Sequence, residues 1–297
     1  MTEQPLENTF TPNPPQEDEF SELIFTRYLY PKEQVCHSLL LALLEHNVRE
    51  ALFWGYELYY SGFTYESVQY IVNIHEKLYL SCNTTKFNNY ILRLFTEYEN
   101  DNNKHWILGV MIWNMAIRPY NLSVFMEQYF SIKCDTTIPS QPTPGKYLIT
   151  MIDTKPYENL IHVPHQSRFM LQKCCKYKLR NEVKELFKTT PFQVQSQYLS
   201  NWLYYAYSSP IWEFRVQQFK GSQNHDKKTI EFENEDLEEE FHNLYNYETD
   251  EQPLSIQVVN IGNYNDVQLS IKDFCKKYGV NINVKKVKSK KPIAHYT

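Results

Sequence analysis

Glycine is scarce, with 7 residues in 297, where an average chain would carry about 7%. The glycines stand at 55, 62, 109, 145, 221, 262 and 279, a spacing that builds neither a P-loop nor a dinucleotide-binding turn, which argues against nucleotide-dependent enzymes of those types. Cysteine is also thin. Six residues spread along the chain make no disulfide framework, so the compartment reads as reducing. Long apolar runs are missing as well: Leu39 to Leu44 and Ile107 to Ile117, the latter interrupted by Asn114, fall far short of the roughly 20 residues that span a bilayer. The first residues are acidic and proline-rich without the basic start and apolar stretch of a secretory signal, so neither export nor a membrane is expected.

Aromatic residues are abundant, at 15%, with 24 Tyr and 17 Phe, and the formal net charge is −5. The 42% hydrophobic and 22% charged shares are globular values, and a chain of this length buries a core without metal or disulfide staples. Residues 1–20, with Pro5, Pro12, Pro14 and Pro15 and little to bury, read as a flexible arm. From residue 21 to 132 the pattern is helical. Val35, Leu39, Leu40, Leu43 and Leu44 keep a three-to-four residue spacing, and a second run from Val48 through Leu52, Tyr56 and Tyr59 stops at Gly62. A second pair is expected over Thr64–Tyr79 and from Thr84 to Tyr98, and a third from Trp106 to Ile117 and from Asn121 to Tyr129. Hairpins beginning near 33, 64 and 102 imply a mainly α fold of stacked antiparallel hairpins, either solenoid-like or an irregular bundle.

Residues 133–165 form a proline-rich connection with one candidate strand at Lys146–Ile152. Residues 166–252 form a second helical region, with helices expected at Gln166–Leu179, Asn181–Lys188, Gln195–Tyr207 and Ile211–Phe219. It ends in an acidic segment of ten carboxylates between 231 and 251, where Leu237, Phe241, Leu244 and Tyr245 keep helical spacing. Residues 253–297 read as a small C-terminal α/β appendage: a strand at Ser255–Val259, a helix from Ser270 to Tyr278 and a strand at Asn281–Val287. Its end is basic, with eight lysines against one aspartate from 272 onward.

Catalytic and metal-binding patterns are mostly missing. His162, His165, Cys174 and Cys175 come nearest to a metal-ligand set, but adjacent cysteines rarely point at one tetrahedral ion. Cys36 and His37 are neighbours on a helix, where successive side chains diverge by about 100°. His75 lies on the apolar face of its helix and reads as a hydrogen-bonded core histidine. No metal, cofactor or catalytic residue is therefore assigned. Two candidate binding features are left. Trp54, Tyr59 and Tyr60 on one helix and Trp202, Tyr205 and Trp212 on another are either core or a partner face. Lys285, Lys286, Lys288, Lys290 and Lys291 are suited to nucleic-acid phosphates, to nuclear localisation, to solubility or to docking on the acidic 231–251 segment.

The strings Glu50-Ala51-Leu52-Phe53-Trp54-Gly55-Tyr56-Glu57-Leu58-Tyr59-Tyr60-Ser61-Gly62-Phe63, Arg118-Pro119-Tyr120-Asn121 and Trp202-Leu203-Tyr204-Tyr205-Ala206-Tyr207-Ser208-Ser209-Pro210-Ile211-Trp212 resemble an uncharacterised protein family of nucleocytoplasmic large DNA viruses, the mimivirus-like giant viruses included. The likeness covers roughly residues 22–130 and 166–216 and leaves out the acidic block and the basic tail. The family carries no assigned activity and hence no site residue. What the resemblance implies is a setting: a virion, or the replication site in the host-cell cytoplasm, with the nucleus as a further location. Together with the missing catalytic patterns, it leads us to expect a non-enzymatic helical interaction or scaffold protein with viral protein partners. The alternative is an accessory nucleic-acid-binding factor that uses the lysine tail.

Overall fold

The computed structural model describes residues 23–132, 147–187, 194–263 and 266–279. Among the described residues helices dominate, thirteen of them α-helical, and strand pairing is confined to one small hairpin and an isolated Phe25–Pro31 bridge. The mainly α architecture is the one the periodicity predicts.

In the N-terminal half, helices α1 (Lys32–Leu44), α2 (Val48–Tyr60), α3 (Thr64–Ile74), α4 (Thr85–Asn100), α5 (Trp106–Ala116) and α6 (Ser123–Phe130) follow the predicted runs closely. Their boundaries are set by short-range chemistry. Asn47 accepts a hydrogen bond from the Glu50 amide at the start of α2, and Thr84 does the same for Phe87 before α4. After α2 the chain turns at Gly62, whose φ of +100° and closeness to Pro210, 2.5 Å from where a Cβ would sit, leave no room for a side chain. Helix α3 runs on into one π-helical stretch, His75–Tyr79. Helix α5 is apolar nearly all round, and Ile107, Leu108, Val110, Met111, Ile112 and Met115 are wholly buried because α1, α2, α3 and α4 all pack on it. In a solenoid each helical pair would touch only its sequence neighbours. Here α5, from the third pair, lies against both helices of the first, so the hairpins close into an irregular bundle.

The C-terminal half is built of shorter pieces: α7 (Met170–Cys174), α8 (Val194–Ser200), α9 (Trp202–Tyr207), α10 (Pro210–Gln218), α11 (Glu235–Tyr245), α12 (Leu254–Ile261) and α13 (Ile271–Tyr278). Strands β1 (Ser222–Asn224) and β2 (Thr229–Glu231) pair antiparallel, with Gln223 opposite Ile230. Several expectations are corrected here. Ser255–Val259 is not a strand but the body of α12: despite its β-branched residues, Ile256, Val259 and the buried Asn260 fall at helical spacing on the core side. Helix 166–179 shrinks to a 3-10 turn, Ser167–Phe169, followed by α7. Glu182–Phe187 forms turns, because the backbone before it and at its start is held by distant groups: Leu179 N–H by the Val259 carbonyl, Arg180 N–H by Ser38 Oγ, and the Glu182 carbonyl by Leu269 N–H. The candidate strand at 146–152 forms no ladder from Tyr147 onward. Side chains replace it: the Ile149 carbonyl accepts from Tyr90 Oη and Asn114 Nδ2, and its N–H donates to Asn114 Oδ1. The expected strand 281–287 lies outside the described residues.

A buried loop, Phe25–Tyr30, joins the two halves. It closes on itself through Thr26 N–H to the Tyr30 carbonyl (2.9 Å) and Leu29 N–H to the Thr26 carbonyl (3.0 Å), with Leu29 at a φ of +60°. A buried loop leaves carbonyls that need donors. The C-terminal half supplies them: Trp212 Nε1 to Thr26 (3.1 Å), Tyr247 Oη to Arg27 (3.2 Å) and Asn260 Nδ2 to Tyr28. A second junction is ionic. Arg180 holds both oxygens of Glu50 at 2.7 Å and also meets Glu45, which in turn takes Lys277 and the Tyr278 hydroxyl, each at 2.9 Å.

Candidate functional site: a basic, tyrosine-lined cleft

Residues 49, 53 and 57 lie four apart on α2 and form one row along its surface. At its inner end, Glu57 is wholly buried beneath the loop. Its carboxylate accepts from Arg27 Nε (2.9 Å), Thr26 Oγ1 (2.7 Å) and the Tyr28 amide (3.1 Å). The Arg27 and Glu57 side chains are 3% and 0% exposed. Burial works against the Arg27 charge, but the adjacent Glu57 carboxylate outweighs it and holds the guanidinium protonated. The remaining donors of Arg27 reach across to Asn159 Oδ1 and the Tyr157 carbonyl, both at 2.9 Å, and so pin the 155–160 segment beside α2. At the outer end of the row, Arg49 is exposed in the first turn of α2, where the helix dipole disfavours a cation.

Between this row and the end of α7 lies a cleft of about 280 Å³, open to solvent on one side. Phe53, Tyr28, Tyr157 and Tyr177 give it aromatic walls. Tyr157 is half-buried and stacks on Tyr56 at 5.0 Å, and Tyr177 leans on Phe53 at 5.2 Å. The Tyr177 carbonyl, tied to Tyr30 Oη at 3.0 Å, fixes that wall to the loop. The rim is cationic. Arg49, Lys173 and Lys176 are exposed and form no ion pair among the described residues, whereas Arg27 is neutralised by Glu57 and one carboxylate, Glu158, lines the cleft. Cys174 also lines it, but burial pushes its thiol up to about 11, so at neutral pH it is protonated and a poor nucleophile. What the cleft offers is charge and flat aromatic surface, the groups that bind and orient an anion.

The aromatic residues singled out in the sequence go into the core. Trp54 and Trp212 are wholly buried, Tyr59 and Trp202 nearly so, and Tyr60 and Tyr205 half-buried. Trp54 packs edge-on against Tyr30 at 5.0 Å and donates to Glu50, while Tyr60 lies over the Arg27 guanidinium. Trp202 and Trp212 meet at 5.1 Å, and Tyr205 packs edge-on against Phe25. Both groups thus support the Phe25–Tyr30 loop rather than sharing an outer face. Lys285, Lys286, Lys288, Lys290 and Lys291 lie outside the described residues, as does any contact they make with the acidic segment. That segment is helix α11, with Phe241 buried and its carboxylates outward.

His162 hydrogen-bonds Tyr247 Oη at 3.0 Å, and among the described residues no three His, Cys, Asp or Glu side chains gather as metal ligands. Cys36 and His37 diverge: the Cys36 carbonyl accepts from Tyr70, and His37 stacks on Phe187. Desolvation pushes the Cys36 thiol up to about 12 and the His37 imidazole down to about 4, the reverse of an activated pair. His75 is buried against Asn88 Oδ1 at 3.0 Å.

Sequence reasoning missed Arg27, Arg49, Lys173, Lys176, Tyr157 and Tyr177. One signal was present: the stretch from Arg168 to Arg180 holds five cations and no carboxylate. Three of the five find acidic partners, Arg168 in Glu248, Lys178 in Asp266 and Arg180 in Glu50, which leaves Lys173 and Lys176 to the cleft.

No protein-family model, curated protein or solved structure matches the chain. The likeness to the viral family therefore rests on the quoted strings alone. Among the described residues, no helix is long and apolar enough to cross a membrane.

Proposed function

We propose that the chain is a non-enzymatic helical interaction protein that holds an anionic partner in the cleft between α2 and the Lys173–Tyr177 segment. The supporting observation is the convergence of Arg49, Lys173 and Lys176, all without acidic partners among the described residues, on a cleft walled by four aromatic rings, in a chain of net charge −5. Cations cost little at a surface, but three left unpaired around one concavity focus a positive field there. The setting implied by the sequence resemblance, the virion or the host-cell replication site, and a viral partner belong to the same proposal.

The test is fluorescence anisotropy of the full chain with a labelled polyglutamate peptide and a labelled single-stranded oligonucleotide. We expect binding that weakens with salt and falls about tenfold or more in R49E/K173E/K176E. Equal binding by that variant would remove the cleft from the proposal. Replacing Lys285, Lys286, Lys288, Lys290 and Lys291 by glutamine tests the lysine-tail alternative in the same assay, since a loss of oligonucleotide binding confined to that variant would place recognition on the tail.

A further inference from the structure

Building on that interaction reading, we infer that the occupant of the cleft is a nucleoside 5′-phosphate group, either a free nucleotide or the 5′ end of a single strand. Size is the first argument. At about 280 Å³ the cleft is just under the usual size of small-molecule sites, on the scale of one nucleotide part-exposed to solvent and too small to enclose an extended polymer.

The two-part lining is the second. A bare phosphate or an acidic side chain would engage Arg49, Lys173 and Lys176 and leave the solvent-facing parts of the half-buried Tyr157 and Tyr177 rings uncovered. A nucleotide uses both parts, its base lying on the rings and its phosphate among the cations, and stacking of this kind is tolerant of base identity. The cations also differ in a useful way: Arg49 presents a planar fork suited to two phosphate oxygens, and the two lysines supply mobile point charges. Glu158 offers an acceptor for a sugar hydroxyl. Arg27 cannot serve as a mobile ligand, because Glu57, Asn159 and the Tyr157 carbonyl engage its guanidinium, so its role is to hold the Tyr157 wall in place.

Phosphate recognition here would rest on side chains. No glycine among the described residues lines the cleft, which suits a chain with only 7 glycines and no P-loop or dinucleotide-type glycine spacing. The placement of Arg49 supports the same reading. A cation in the first turn of α2 weakens that helix slightly, and no carboxylate among the described residues pairs with it to offset the cost.

Isothermal titration calorimetry of the full-length chain decides the matter. The probes are adenosine and uridine 5′-monophosphates, the unphosphorylated nucleosides, inorganic phosphate and a 5′-phosphorylated tetranucleotide. We expect the monophosphates to bind at least about tenfold more tightly than either the nucleosides or inorganic phosphate. Both K173E/K176E and Y177A should lose about tenfold or more, the first with an unchanged melting temperature because the lysines are exposed, the second with a lowered one because Tyr177 packs on Phe53. A tetranucleotide that binds more tightly than the monophosphates assigns the strand end, and equal affinity assigns the free nucleotide. Monophosphate binding no tighter than inorganic phosphate, or insensitive to both variants, overturns the inference. If the polyglutamate peptide is still held through the same cations, the nucleotide identity falls and the interaction reading stands. If neither ligand is held, both fall.

Discussion

The two halves of the molecule are built by different means. Residues 32–130 form helices of 8 to 16 residues around α5, and their cohesion comes from apolar faces meeting at close range. Gly55 shows how close: a Cβ there would lie 2.2 Å from Ile112 Cδ1, so α2 and α5 approach with nothing between them. The C-terminal half has helices of 5 to 11 residues, short for independent stability, and is fastened by single polar bonds to the Phe25–Tyr30 loop and by aromatic edges. Both halves contribute to one apolar core, Leu171, Trp212, Phe241 and Phe274 among it, and what sets the C-terminal half apart is the addition of a few buried polar groups that each satisfy one carbonyl of the loop.

The sharpest break in this comparison is Glu57→Ala. It strands the buried Arg27 charge and deprives Thr26 and Tyr28 of their acceptor, and we expect a loss of about 3–5 kcal/mol in denaturant unfolding. Because the loop belongs to both halves, near- and far-ultraviolet dichroism should report one transition. Gly55→Ala strikes the bundle alone and should cost about 1–3 kcal/mol through overpacking against Ile112. Tyr247→Phe strikes the attachment alone: it removes the bond to the Arg27 carbonyl and the partner of His162, with an expected cost of about 1–2 kcal/mol by the same measurement.

Acid sharpens the contrast further. Burial, with the Arg215 charge adding to it, holds the His162 imidazole down to about 3, against an ordinary value of 6.5. The unfolded chain therefore takes up a proton that the folded chain refuses, and stability falls as pH drops from about 6.5 toward 3. Burial alone would raise the Glu45 carboxyl, but hydrogen bonds from Arg180, Lys277 and Tyr278 bring it down to about 2. Its contribution is whole above about 4.5 and is lost as pH falls toward 2. His162→Phe should flatten unfolding free energy measured between pH 6.5 and 4.5, while Glu45→Gln should flatten it only below that range. The smallest effect expected is that of Lys277→Ala, whose ion pair with Glu45 is half in solvent: about 0.5 kcal/mol or less, abolished by added salt.

The same contrast decides what could be read from the sequence. In the bundle, local signals and tertiary structure agree: the runs from Val35, Val48 and Trp106, the stop at Gly62 and the starts at Thr64, Thr84 and Asn121 each lie within a few residues of a helix boundary. Beyond residue 147 local signals still place α10, α11 and α13, the last from its Ser270 cap, but the segments between them are decided by distant groups. Asn114 takes over the bonds of Ile149 that a neighbouring strand would supply, Val259 and Ser38 draw the 179–180 backbone out of a helix, and Asn260 turns a strand-like sequence into a helix that reaches Tyr28. The cleft was illegible for the same reason. Its residues come from segments around 27, 49, 157 and 175, and only the folded chain shows that Lys173 and Lys176 lack acidic partners while their neighbours have them.

The Phe25–Tyr30 loop also imposes an order in time. At roughly 5 to 20 residues per second, a ribosome needs on the order of 10 to 50 s to pass from the loop to Asn260. Through that interval the helical bundle can assemble, but the Arg27 and Tyr28 carbonyls await their side-chain donors and the Thr26 carbonyl has only the Leu29 N–H. The segments that carry Trp212, Tyr247 and Asn260 thus seal a loop made 186 to 232 residues earlier, and a nascent chain stalled short of them would present that loop unsealed to the quality-control machinery of the cell.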